Sequence, residues 1–318
     1  MESAGERLIG FVAAEAERRP APALGAVVTY LLGRHRKGLA AILYYGSCLR
    51  HVGELPDDAI LDLYVIVDGY GCFYADWRKA LANAMLPPNV FYAEVPWQGR
   101  VLRVKYAVMS ISGFERGCSR RGFHPRLWAR FSQPTRLIYR RDIAARDAVL
   151  RAMGEAVATT AARAMPLLGS EFSADELWTR AFRESYRAEL RPESAGRAGE
   201  IVAFGRDWFT RLTPLALAAA GADVREVAPG RYAQDQSGLV RQWGAKAAWA
   251  LRRVVGKPMN ILRLIKAVFT FEGGQSYLLW KVRRHAGISL EPTAWQQRHP
   301  LLAAPVLAWK LYRLGAFR

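Results

Sequence analysis

Two features of this chain could do chemistry on phosphate. The first is Gly46-Ser47, which closes the apolar run LAAILYYGS at residues 39–47. A turn leaving a strand can aim backbone N–H groups, and here a hydroxyl, at one point, and such a concavity suits phosphate oxygens. The second is Asp62, near the start of the next apolar run, ILDLYVIVD at residues 60–68. A carboxylate there suits Mg²⁺, a hard ion that prefers carboxylate and phosphate oxygens. Together they could serve a displacement at phosphorus in which a metal neutralises the developing charge. A second acid two residues on would share the strand face with Asp62, but Tyr64 stands there. Alone, the pattern is common, and an ordinary loop serine with a strand-edge aspartate reads the same way. Asp68 ends the second run and is placed to cap the turn.

Other chemistries find less support. The five histidines are scattered without HxxE or HExxH spacing, which argues against a zinc site or a histidine-based hydrolase. Cys48, Cys72 and Cys118 form no CxxC pair and imply no disulfide framework, so a reducing compartment is expected. No helix-turn-helix or zinc-finger signature marks a DNA-binding protein.

The elements that would position these residues can be read from apolar periodicity. Residues 5–17 and 22–36 read as short helices, 39–47 and 60–68 as buried strands, and 74–85 as a helix. NVFYAEVPW (89–97) and RVLRVKYAVMS (100–110) flank Gln98-Gly99 and read as a hairpin. From residue 143 onward the chain turns rich in Ala, Leu and Arg. Helices are expected over 143–167, 173–190, 197–220 and 236–255, with loops at 191–197 and 221–235. The fold expected is an α/β (α+β) core with a mixed sheet, over residues 1–145. A mainly helical domain (146–240) and a basic amphipathic region (241–318) follow it.

Charge adds a constraint. The 46 Lys and Arg outnumber the 28 Asp and Glu, for a formal net charge of +18. Such a field favours nucleic acid, an anionic membrane surface or phosphorylated substrates, although a genome rich in Arg codons would leave the same excess. No signal peptide and no apolar run long enough to span a membrane is expected. Residues 243–271 and 299–318 interleave Trp and Leu with Lys and Arg. The first reads equally as a core helix or an interfacial one; the second favours the interface.

The motifs also resemble a family. Gly46-Ser47 and Asp62 follow the plan of the polymerase-β-like nucleotidyltransferases. Within that superfamily the chain resembles the mitochondrial-type phosphatidate cytidylyltransferases. YYGSCLRHVG is similar to the family's YGSGV segment, and ILDLYVIVD to its LDFIFxVD, which also has a single leading aspartate. VKYAVMSIS is similar to its IKYGVIS, and RLWARFSQPTRLI to its W..LY.AGRLQKPV segment. SYRAELR at 185–191 stands where the family has SYSGDFR, and KPMNILRLIKAVFT near its late KGIFTAG motif. The similarity runs in order over residues 40 to 275.

The resemblance implies a CTP site and a Mg²⁺ cofactor. Gly46 and Ser47 would hold the triphosphate, with Lys105 neutralising phosphate. Asp62 would bind metal and Glu189, matching the family's aspartate, would add a second carboxylate; Arg191 and Lys266 would take substrate phosphate. Departures are Cys48 for the family's second glycine and Ala267 for the glycine after its lysine. The expected activity is Mg²⁺-dependent transfer of CMP from CTP to phosphatidate, giving CDP-diacylglycerol and pyrophosphate. It would take place peripherally at the cytoplasmic side of a membrane, with no stable nucleic-acid complex, and a homodimer is compatible with it. Rival readings are nucleotidyl transfer to RNA or a protein, and a non-catalytic anionic-lipid-binding protein.

Overall fold

The structure, a computed structural model, describes residues 2–35, 37–50, 59–189, 196–234 and 239–270, together with Thr293 and Trp295. The chain opens with α1 (Ala4–Ala16), started by a capping box in which Ser3 and Glu6 satisfy each other's backbone N–H groups. Then follow α2 (Pro22–Arg34), β1 (Leu39–Tyr45), β2 (Ile60–Val67), the short α3 (Tyr70–Phe73), α4 (Trp77–Met85), β3 (Asn89–Trp97) and β4 (Arg100–Ser110). After these come α5 (Ile111–Cys118), α6 (Trp128–Phe131), β5 (Arg136–Arg140), α7 (Ile143–Ala164), β6 (Glu171–Ser173) and α8 (Ala174–Ala188). The last described elements are α9 (Arg197–Phe204), α10 (Arg206–Ala219), β7 (Val224–Ala228), β8 (Arg231–Gln234) and α11 (Leu239–Thr270).

Five strands form one mixed sheet in the order β3-β4-β2-β1-β5. β2 and β4 are parallel; the other pairs are antiparallel. The expected mixed α/β core is therefore present. The hairpin between β3 and β4 turns on Gln98 and Gly99, at φ 47° and 76°. Two consecutive positive φ values give the turn whose twist matches paired strands.

Both faces of the sheet are covered, so its central strands carry unbroken apolar runs; all seven residues of β1 are buried. Because side chains alternate, each strand sends one set to each face. Ile42, Leu63, Val65 and Val104 pack with Leu24, Val27 and Leu31 of α2. Leu43, Tyr64, Ile66 and Met109 pack in a second cluster with Val149 and Met153 of α7, Phe114 of α5 and Trp178 of α8. That second cluster also holds Leu8 of α1 and Trp249 of α11, so one apolar core lies on both sides of residue 145.

Several elements differ from the sequence expectation. The stretch 221–235 contains the hairpin β7–β8, which joins β6 in a three-stranded sheet. The expected helix at 197–220 is two helices that meet at Gly205. α11 runs 32 residues to Thr270 and carries Pro258 inside it. Cys48 and Cys118 are buried, whereas Cys72 on α3 is exposed. Among the described residues no helix is long and apolar enough to cross a membrane.

Candidate active site

The strand pairing builds the site. Asp62 stands directly opposite Lys105 in the parallel β2–β4 ladder, and opposite Tyr45 across β1. Asp62 shares a face with Tyr64 and Ile66, the face covered further along by the helical layer. At the Asp62 end that cover leaves an open cleft of about 160 Å³. The Asp62 carboxylate lies 3.5 Å from the Lys105 ammonium, and both side chains remain partly open to solvent.

The turn after β1 closes down on the same carboxylate. Gly46 has φ 98°, and a Cβ there would come within 3.2 Å of Asp62 Oδ2. A side chain would be doubly disfavoured, by the positive φ and by the contact, so glycine is what allows turn and carboxylate to meet. Ser47 follows, exposed, on the cleft wall. Cys48, where the resemblance expects a second glycine, turns away from the cleft. Its thiol is buried and donates to the Ile60 carbonyl at 3.1 Å, so it does not narrow the turn.

The opposite wall comes from far along the chain. Glu189, the C-cap of α8, lines the cleft with Ser185 and Tyr186. Asp62 and Glu189 are separated by more than a hundred residues, yet they border one cavity. Sequence reasoning missed three further residues of this wall: Arg126, Arg130 and Gln133. They sit around the one-turn α6, too short to show a periodic signal. The available clue was composition: RLWARFSQPTR places three arginines, Gln133 and Pro134 in eleven residues.

Arg130 is the best-defined cation of the cleft. Its guanidinium lies 4.8 Å from the Tyr45 ring centroid and 6.0 Å from that of Tyr64. Burial works against the charge, but Tyr45, Tyr64, Glu189 and Asp62 outweigh it and hold Arg130 firmly protonated. Tyr64, in the place of a second acid, is thus a buried ring that packs on Phe131 at 5.1 Å and underlies a cation. His124, behind this wall, is kept neutral; burial pushes its pKa down to about 4.

One expected residue lies outside the described residues, and another falls elsewhere. Arg191 lies outside the described residues, as do 299–318. Lys266 does not border the cleft. Its ammonium donates to the carbonyls of Leu86 and Pro88, at 2.5 and 2.8 Å, and to Asn89 Oδ1 at 2.9 Å. With its three protons so engaged it is a strut between α11 and the 86–89 segment. Burial, with Arg126 and Arg263 close by, lowers its pKa to about 8.

A second recess of about 320 Å³ opens on the other side of Gly46, between α1, α9, α10 and the start of β5. Its acids are already neutralised. Glu15 meets Arg136 at 2.5 Å and Arg18 at 3.1 Å, and Asp207 meets Arg211 at 3.7 Å. It is the roomier recess, but the smaller cleft brings together the groups that can handle phosphate.

Among the described residues no trio of His, Cys, Asp or Glu stands close enough to hold a metal by itself. The cleft instead offers two carboxylates on facing walls, a donor set that suits Mg²⁺, which takes one or two carboxylates and completes its shell with phosphates and water. No protein-family model matches the chain, and comparison with curated proteins returns no match.

Proposed function

We propose that this protein is a Mg²⁺-dependent nucleotidyltransferase that moves CMP from CTP to phosphatidate at a membrane surface. One observation carries the reading. Gly46 and Ser47, Asp62, and Glu189, read from three separate motifs of the sequence, border a single cleft that also holds Arg126 and Arg130. An ordinary loop serine and strand-edge aspartate would have no reason to converge with a distant glutamate and two arginines. The choice of CTP and phosphatidate rests on the family resemblance.

The roles follow from position. The turn at Gly46-Ser47 receives the β- and γ-phosphates. Asp62 and Glu189 would hold Mg²⁺, which when bound neutralises charge on the phosphates. Arg130, fixed over Tyr45, keeps a permanent charge close enough to feel both carboxylates. A non-bridging oxygen of the acceptor phosphate attacks the α-phosphorus. The bond to the bridging oxygen breaks, and pyrophosphate leaves with that electron pair. A phosphate monoester, with a second pKa of about 6, is already mostly deprotonated at neutral pH. No general base is needed, and neutral His124 is no obstacle. Positioning and charge neutralisation supply most of the rate.

Attachment to the membrane would be peripheral. α11 exposes Trp243, Leu251, Val254 and Ile265 to solvent, as an interfacial helix would. The test supplies labelled CTP, Mg²⁺ and phosphatidate vesicles to the wild type and to Asp62→Ala. Lipid-extractable label that disappears in the variant supports the reading. Pyrophosphate without labelled lipid discards phosphatidate as acceptor, and no turnover with any nucleoside triphosphate discards the enzyme.

A further inference from the structure

α11 presents two different faces. On the outer face Val240, Trp243, Leu251, Val254, Ile261 and Ile265 are all exposed, between 49% and 86%. At 3.6 residues per turn they fall on one stripe, about 38 Å long. Lys246 and Lys257 lie together along one edge of it.

The inner face touches segments that lie behind the cleft. Arg253 reaches buried Glu184 of α8 at 3.0 Å. Gly256 lies so close to the end of α8 that a Cβ would meet the Ala188 carbonyl at 2.2 Å and His124 Nε2 at 2.8 Å. Arg252 donates to the Phe123 carbonyl at 3.0 Å. Arg263 donates to the Pro87 carbonyl at 3.3 Å, the same acceptor that Arg126 reaches at 2.8 Å. Ala188 immediately precedes Glu189, and Arg126 lines the cleft, so α11 buttresses two residues of the site without entering it.

We infer that α11 couples an anionic lipid surface to the cleft: seating the outer stripe on a bilayer holds the inner face in place and so sets Glu189 and Arg126. A bilayer would then activate the protein as well as supply its acceptor. The inference rests on the proposed reading only where activity is the readout. The occupant follows from chemistry: a long apolar stripe with a lysine edge, on a chain of net charge +18, matches an apolar layer rimmed with anionic headgroups. The coupling needs the surface to favour one state of α11 over another. Apart from Trp249, the inner face is held mainly by cations, Arg252, Arg253, Arg263 and Lys266, and the last two crowd Arg126. An anionic surface lowers the cost of gathering these charges and so favours the docked helix.

The experiment uses the full chain and vesicles of phosphatidylcholine with or without phosphatidylglycerol, neither of which is the acceptor. Sedimentation measures binding. Transfer to a short-chain phosphatidate, below its micelle concentration, measures activity. Hydrogen exchange at 123–126 and 186–189 reports the cleft walls directly. The expected result is binding to the anionic vesicles alone, a several-fold rise in kcat and slower exchange in both segments. Val254→Glu with Ile261→Glu should weaken vesicle binding about ten-fold and remove the rise. Gly256→Ala, which wedges the helix from α8, should keep the binding and lose both the rise and the slowed exchange. Binding without a change in rate or exchange overturns the coupling. Absence of binding overturns it too, and a doubled mass in solution would then give the stripe to a second copy. If no transfer occurs under any condition, the enzyme reading fails, but slowed exchange on anionic vesicles still sustains the coupling.

Discussion

On one side of Gly46, Glu15 is clasped by Arg136 at 2.5 Å and by Arg18 at 3.1 Å; on the other, among the described residues, Asp62 meets Lys105 alone as an ion-pair partner, at 3.5 Å. The first recess has twice the volume of the second, 320 against 160 Å³. Its charges, however, stabilise one another and have little left for a ligand. In the smaller cleft Asp62 and Glu189 share the lining with Arg126 and Arg130, so groups of both signs border the space proposed for phosphate and metal. Size alone therefore misplaces the chemistry, and the arrangement of charge is the better guide.

The comparison can be broken most directly by exchanging the acids. Asp62→Ala should cut transfer by about 10³-fold or more while leaving the melting temperature nearly unchanged, because it removes charge stabilisation at the reacting phosphate. Glu15→Ala should do the reverse. It leaves Arg136 half-buried without its carboxylate, costing about 1–3 kcal/mol of stability, and transfer at saturating substrate should stay within about two-fold of wild type. Equal losses of activity in the two variants would erase the distinction between the recesses.

Arg130 gives the next largest effect. Arg130→Met should lower kcat by about 10²-fold, and Arg130→Lys should recover only part, since an ammonium lacks the planar fork that stacks on Tyr45 and Tyr64. Gly46→Ala should cost about 1–2 kcal/mol for its left-handed backbone and push the turn away from Asp62 Oδ2. Both activity and melting temperature should fall, unlike in either acid variant.

The smallest effect is a pH dependence. The folded chain holds the Lys266 proton with a pKa of about 8, below its ordinary 10.5. Between those values the unfolded chain binds a proton that the folded chain has lost. Stability should therefore rise as pH rises through that window, with the penalty fully present below pH 8. Thermal unfolding of wild type against Lys266→Met across pH 7.5–10.5 isolates this contribution from the general relief of positive charge; parallel curves would show that Lys266 is not shifted.

Much of the sheet was legible because its strands are buried and marked by turns. β1 and β2 read as apolar runs, and Gln98-Gly99 announced the hairpin. β5 was missed because RLIYR ends in charge and is only half-buried. β7 and β8 were missed because VREVA and RYAQ are short and mostly exposed, with no apolar alternation to read. α11 passes Pro258, where a helix is expected to stop, because that residue lies on the solvent side. Water can there serve the Val254 carbonyl that proline's missing N–H leaves unpaired. In the site, Asp62 and the Gly-Ser turn were readable from a strand–turn–strand order. Glu189 needed the family resemblance, since a helix end carries no signal of what it faces. Arg126 and Arg130 left only a compositional clue, because proximity across a fold leaves no mark in local spacing.

The three cysteines give the molecule a ready handle. Two are shut away, Cys48 under the turn and Cys118 in the core, where burial also pushes its thiol pKa well up. Cys72 stands exposed on α3, against the loop before β1 and apart from the cleft lining. A mild thiol reagent should thus mark the native protein once, at Cys72. A dye placed there could follow arrival at vesicles, or distances to a labelled nucleotide, without engineering the chain and without touching the residues that would do the work.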